Sequence, residues 1–242
     1  MQPISKAVVD DLAPKGVLRV AINFGNPVLA QPHPQTGAPM GVSADLAKEL
    51  ARQLGVSPEF ITYDGAGKVA AAADTDAWDI AFMAIDPARA ETAKFTQPYV
   101  IIEGTYMVRS DSPLRAIDDV DTKDVRIAVG KGAAYDLFLS RSLQHAQIVR
   151  ADTSAAAINL FLDQSLDTVA GVRQPLVAFA AAHDGLRVID GRFTAIEQAM
   201  ATPKGRTVGW EFLQSFVGDM KRSGFVAQAL ENSGQRDASV AP

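Results

Sequence analysis

The most constraining feature of the chain is residues 78–107, WDIAFMAIDPARAETAKFTQPYVIIEGTYM. Ile80, Ala81, Phe82, Met83, Ala84 and Ile85 form an apolar, strand-like run that stops abruptly at Asp86-Pro87. A short amphipathic stretch follows, then Phe95-Thr96-Gln97-Pro98-Tyr99 and a second β-rich run. A buried strand that ends at Asp-Pro and turns into a helical start is where an open α/β sheet places its ligand. Arg89 lies one turn past that strand end, and its planar fork of donors suits a carboxylate.

Composition narrows the classes. The 242 residues suffice for one large domain or two lobes of roughly 100 residues each. With 48% apolar and 21% charged residues, the chain has the make-up of a globular protein with a real core. A net charge of -5 argues against a nucleic acid or an anionic membrane as partner. There is no cysteine, and the three histidines (His33, His145, His183) are far apart, so neither a metal site nor a cofactor is expected. No apolar run reaches 18 residues, and the first residues lack the basic start and apolar core of a signal peptide. An export signal removed from the chain and a protein made without one remain equal alternatives.

Along the chain, residues 1–16 read as a lead-in helix and 17–22 as a strand bounded by Gly16 and by Asn23-Phe24-Gly25-Asn26-Pro27. Residues 28–40 read as a loop or loose hairpin. The next helix places Leu46, Leu50 and Leu54 at i, i+4, i+8, with Ser43 as N-cap and Gly55 as stop. A strand at 60–63, an alanine-rich helix at 68–73 and the strand at 80 complete a β-α-β-α-β half. The same order recurs: strand 125–129, helix 135–143 anchored by Leu137 and Phe138, strand 148–149, helix 153–162, strand 167–170, helix 175–182. Residues 193–201 are extended, 208–221 and 225–230 helical, and the polar tail at 232–242 is expected to be disordered. Gly65-Ala66-Gly67-Lys68 is not a phosphate loop, because it lacks the length and the closing Ser/Thr.

Three pieces of this pattern resemble a known family. Trp78-Asp79-Ile80, then Asp86-Pro87-Ala88-Arg89, then Phe95-Thr96-Gln97-Pro98-Tyr99 follow the order and spacing of the amino-acid-type (family 3) solute-binding proteins of bacterial ABC transporters. Residues 41–55 fit that family's G-x-x-x-D-L-A-x-x-L-A-x-x-L-G helix, and residues 120–135 match its second-lobe opening loosely. The resemblance spans about residues 15–232. It implies an α/β, two-lobed periplasmic-binding-protein-like fold, with two open doubly wound sheets joined by two hinge crossovers near 102–106 and 196–200. Lobe 1 would be 1–102 plus 199–242, lobe 2 would be 103–198, and ligand would sit in the cleft between them.

The resemblance also assigns candidate roles. Arg89 would grip the ligand's α-carboxylate; the alternative is a surface arginine paired with Glu91. The turn Gly132-Ala133-Ala134 would offer backbone amides to the same carboxylate, although Ala133 or Ala134 stands where the family has threonine. Ala84 and Asp86 replace the family's strand-end Ser/Thr; Asp86 would cap the following turn or bind an ammonium group. The second-lobe acid that receives the α-ammonium should fall near Val172 or Arg173, so the amine acceptor is missing and a cation stands nearby. Arg173 would then suit a dianion or an amine-free acid, or would pair with Asp167 or Glu103. Glu103, a carboxylate inside an apolar run, fits a hinge salt bridge or an amine contact. Asn23, Phe24 and Asn26 are candidates for polar contact and stacking, whereas Trp78, Tyr99 and Tyr106 read as packing.

The function expected from these residues is delivery of a small carboxylate-bearing solute, an amino acid or related organic acid, to an ABC transporter permease by a monomeric periplasmic protein. Two alternatives stay open. One is an enzyme resembling cyclohexadienyl dehydratases, with Asp86 or Glu103 as general acid. The other is a leaderless cytosolic sensor or binding module.

Overall fold

In the computed structural model, residues 4–235 and 237–242 are described. They divide into two compact units: unit 1 comprises residues 4–64, 68–101, 197–235 and 237–242, and unit 2 comprises 65–67 and 102–196. Apart from the brief excursion at 65–67, the chain passes between units at 101–102 and at 196–197.

In unit 1, α1 (Lys6–Leu12) precedes β1 (Val17–Asn23), the short hairpin β2 (Gln31–Pro32) and β3 (Pro39–Met40), α2 (Val42–Leu54), β4 (Ser57–Tyr63), α3 (Ala66–Ala71) and β5 (Ile80–Ala84). Parallel pairing puts β1 between β4 and β5, with Val20 opposite Ile80 and Ala21 opposite Ala81. The 17-residue β6 (Ala93–Arg109) and β11 (Thr194–Pro203) each begin in one unit and end in the other, and in unit 1 β11 runs antiparallel to β5. The helices α7 (Thr207–Arg222) and α8 (Phe225–Asn232) return to unit 1, followed by β12 (Ser239–Val240). Unit 2 holds β7 (Arg126–Gly130), α4 (Ala134–Ser142), β8 (Gln147–Ala151), α5 (Ser154–Asp163), β9 (Thr168–Val172), α6 (Arg173–Ala182) and β10 (Leu186–Val188). Here β7 is central, parallel to both β8 and β9, while β6 and β10 add antiparallel pairs.

The sequence pattern explains the packing of each unit. Leu46, Leu50 and Leu54 of α2 are buried as their spacing predicts, and Gly55 closes the helix with φ +71. Ser43 is not the N-cap. That position belongs to Gly41 at φ +101, where a Cβ would sit 2.8 Å from the Leu29 carbonyl, and Ser43 instead shares a 3.0 Å hydrogen bond with the Tyr99 hydroxyl. The alanine-rich α3 has small side chains that let Trp78 lie against it, fully buried among Ala21, Val69, Ala73 and Met83, with its Nε1 donating to the Val69 carbonyl. In unit 2, Phe161, Leu166, Val169 and Leu176 form the core. The apolar anchor of α4 is Leu139, with Tyr135, rather than Leu137 and Phe138. The end of the tail is held to unit 1: β12 pairs with Val100 and Ile101, and the Ala241 amide donates to the Tyr99 carbonyl. Apolar Val240 and Ala241 supply what the polar composition of the tail concealed. No described helix is long and apolar enough to cross a membrane.

One buried junction closes unit 1. Asp79, fully buried at the start of β5, accepts from the Arg19 amide at 3.0 Å, Arg19 Nη2 at 2.8 Å and Arg206 Nη2 at 2.7 Å. Arg206, just before α7, also donates to the Asp11 carbonyl of α1. Removing one partner of a buried pair strands the others. Asp79→Ala is expected to destabilise unit 1 by about 3–5 kcal/mol, read as a lower denaturation midpoint in urea. A midpoint within experimental error of the wild type would show that the junction contributes little.

Candidate functional site

The loops leaving β4, β1 and β5 all start at the carboxyl edge of the unit 1 sheet, because these strands are parallel. The connection after β1 leads through α2 to β4 on one side, while the chain after β5 moves away on the other. In open α/β sheets ligands bind at the strand ends where adjacent connections diverge, which here are the ends of β1 and β5. Asn23 to Asn26 end and follow β1, and Ala84 to Arg89 end and follow β5.

At the β5 end, Ala84 is the last strand residue, and Ile85 is already exposed. The short amphipathic stretch after β5 holds a single 3-10 turn, Arg89–Glu91, because β6 begins at Ala93. Asp86 caps that turn: its Oδ1 accepts from the Ala88 amide at 2.9 Å and its carbonyl from the Ala90 amide at 3.0 Å. Arg89 is not a surface arginine. It is 4% exposed, and Nη1 reaches back to donate to the Ala84 carbonyl at 3.1 Å. Burial pushes its guanidinium down to about 10, and the nearby Asp86 carboxylate opposes that shift without cancelling it.

At the β1 end, the Asn23 side chain accepts from the Gly25 amide at 2.9 Å and so shapes the turn. Asn26 is buried; its carbonyl receives the Leu29 and Ala30 amides at 3.1 and 3.2 Å, whereas its Oδ1 has no hydrogen-bond partner. Phe24 lines a cleft of about 380 Å³ with Thr62, Tyr63, Asp64 and Lys68. Asp64 and Lys68 form a 2.7 Å ion pair there. Their i, i+4 spacing was visible in the sequence, but their proximity to Phe24 depends on the β1–β4 register.

Unit 2 repeats the arrangement at the ends of β7 and β9. Gly132, at φ +71, opens the turn into α4, and its amide donates to Asp136 Oδ2 at 2.8 Å. The Ala133 amide donates to the Gly130 carbonyl at 3.1 Å. Two of the three amides expected to face an anion are thus engaged locally, leaving that of Ala134, the first residue of α4. Asp136 is buried and held by Arg150 at 3.0 Å.

Arg173 is the first residue of α6. Of the alternatives open for it, the structure shows pairing with Glu103: Nε lies 2.7 Å from Oε2, and Nη2 also donates to the Gly191 carbonyl. Arg192 adds a second cation, 3.0 Å from the other Glu103 oxygen. Glu103 therefore makes salt bridges just after the chain enters unit 2, and the Arg173 guanidinium, then Arg192, holds its carboxyl below the usual glutamate range. Sequence reasoning missed Arg192, because the loop that returns it to β6 carries no distinctive motif. Trp78, Tyr99 and Tyr106 are all packing residues, each buried.

Comparison with known proteins agrees with this architecture. The family described as bacterial extracellular solute-binding proteins, family 3, matches residues 18–234. No curated protein sequence matches. Among solved structures, the P235GK mutant of ArgBP from T. maritima is 25% identical, with a TM-score of 0.79 over 94% of this chain and 99% of that one. The ancestral amino acid-binding protein AncCDT-1, described as a precursor of cyclohexadienyl dehydratase, is also 25% identical, with a TM-score of 0.77 over 93% and 98%. The L-cysteine solute receptor of Neisseria gonorrhoeae, 22% identical with a TM-score of 0.81 over 95% and 93%, shares the fold. With 217 consecutive residues matched and whole-chain structural likeness, this protein belongs to family 3 of the bacterial extracellular solute-binding proteins.

Proposed function

We propose that this solute-binding protein takes up a small carboxylate-bearing solute, with Arg89 receiving the carboxylate, and presents it to the permease of an ABC transporter. The observation that carries the reading is the place of Arg89: a cation buried just past the carboxyl end of β5, whose pKa burial pushes down and the Asp86 carboxylate pushes up. A second anion at that position gains a charge-assisted, two-pronged hydrogen bond. The solutes named for similar structures at 25% identity support the class, since ArgBP is described as arginine-bound and AncCDT-1 as amino acid-binding. Ala84 and Asp86 shape the arginine's surroundings, and Phe24 offers a ring at the cleft beside the end of β4. The two crossings at 101–102 and 196–197 are the proposed hinges, and the protein acts as a monomer.

The enzyme alternative finds less support. A general acid must hold its proton near neutral pH, whereas the two arginines beside Glu103 favour its ionised form. AncCDT-1, the similar structure that points toward dehydratase chemistry, is itself described as amino acid-binding. Incubation with prephenate is expected to leave its absorbance unchanged; turnover at catalytic protein concentrations would reverse this reading. The family's description as extracellular supports action outside the cytoplasm. Fractionation of the native cells should recover the protein with the periplasmic contents, and recovery only in the cytosol would favour the sensor instead.

The direct test is a thermal-shift panel of small organic acids followed by titration of any hit. A solute at 100 times its dissociation constant stabilises by about 2.7 kcal/mol. Arg89→Met, which keeps bulk and drops the charge, should weaken that solute by about 2–5 kcal/mol, roughly thirtyfold to several thousandfold, with circular dichroism unchanged. Wild-type affinity in a folded Arg89→Met would place the site elsewhere.

A further inference from the structure

The carboxylate reading leaves open what else the solute carries, and the arrangement of buried charge bears on that. An ammonium group taken out of water needs an anionic partner, since an unpaired buried charge is far more costly than an unpaired neutral group. Three carboxylates are buried among the described residues: Asp79, Asp86 and Asp136. Asp79 is held by Arg19 and Arg206, and Asp136 by Arg150 and the Gly132 amide. Asp86 caps the turn through Ala88 and stands beside Arg89, whose charged form it favours. Every buried carboxylate therefore already faces a guanidinium.

The end of β9 is cationic as well. Glu103 there meets both Arg173 and Arg192, one negative charge against two positive ones. Arg173 also opens the ten-residue α6, so the positive end of the helix dipole adds to the same field.

Unit 1 offers a neutral acceptor instead. Asn26 is 9% exposed and follows β1, the strand that pairs with β5, after which Arg89 stands. Its backbone is fixed by the Leu29 and Ala30 amides, which holds the side chain in place, and Oδ1 is buried with no hydrogen-bond donor to it. A buried carbonyl oxygen in that state is satisfied by a hydroxyl, with no charge to neutralise.

We infer that the solute is an amine-free carboxylate of the hydroxy-acid class, its hydroxyl donating to Asn26 Oδ1 while Arg89 holds the carboxylate. The inference rests on the carboxylate reading above and deepens it.

Matched pairs that differ only in the 2-substituent test it: lactate and alanine, malate and aspartate, 2-hydroxyglutarate and glutamate, phenyllactate and phenylalanine. Titration of the wild type should find a hydroxy acid that binds at least tenfold more tightly than its amino-acid twin. An amino acid that binds as tightly as its twin, or more tightly, overturns the inference while leaving the carboxylate reading intact. Asn26→Asp, which puts a charge where the neutral acceptor stood, should weaken the hydroxy acid at least tenfold and shift preference toward the amino-acid twin. An unchanged preference in a folded Asn26→Asp removes the assigned hydroxyl contact. Binding of both twins that is indifferent to Arg89→Met, or no binding by any acid in the set, defeats the parent reading and this inference with it.

Discussion

The structure of unit 1 depends on the position of one carboxylate. Asp79 accepts from the backbone and side chain of Arg19 while its own amide donates to the Arg19 carbonyl at 2.9 Å. Its grip thus locks β5 against β1 at the strands' amino ends. Because parallel strands keep a fixed rise, locking one end sets how the other ends line up, and Asn26 and Arg89 leave from those other ends. Arg206 brings α7 and α1 onto the same carboxylate, so the return of the chain from unit 2 is tied to the register that places the candidate site. A buried ion pair adds little stability relative to well-packed apolar residues, but its geometry is demanding. Here that geometry specifies strand alignment.

Unit 2 solves the related problem differently. Asp136, inside the first turn of α4, reaches back to the Gly132 amide and pairs with Arg150 on β8. One side chain thereby caps the helix and ties it to the sheet. The same contact uses the helix end that a bound anion would otherwise occupy, which makes unit 2 a poorer anion receptor than a plain β-α turn. Arg173 and Arg192 set the charge at the end of β9 through their direct pairs with Glu103.

The sequence revealed the elements whose signals are local. The leucine spacing of α2, the Gly55 stop and the two β-α-β halves were legible because each residue reports on its own turn or face. Elements defined by a distant partner were not. Ser43 looks like a cap until Tyr99, 56 residues away, claims its hydroxyl and Gly41 takes the left-handed conformation. The tail looks disordered until β6 offers Val100 and Ile101 as an edge. At the candidate site, Arg89 was found from the strand that ends before it, while the pairing of Glu103 with Arg192 across 89 residues was invisible. The resemblance puts Arg173 near the place of the family's amine acceptor and leaves its pairing with Asp167 or Glu103 open; the fold selects Glu103.

That pairing sharpens the electrostatic argument. Losing an acidic residue from a binding site need not change what the site accepts, provided another carboxylate can take its place. Glu103 would be the natural replacement, yet two guanidiniums surround it, and releasing it for an ammonium would leave both without their partner. Asp86 is constrained in the same way, since it caps the turn that carries Arg89 and partly compensates that cation. A substitute acceptor would therefore have to disturb either the Asp86 turn beside Arg89 or the Glu103 pairs with Arg173 and Arg192. A neutral group such as Asn26 avoids that conflict, because its unpartnered oxygen accepts a hydrogen bond without disturbing any of the arginine pairs around it.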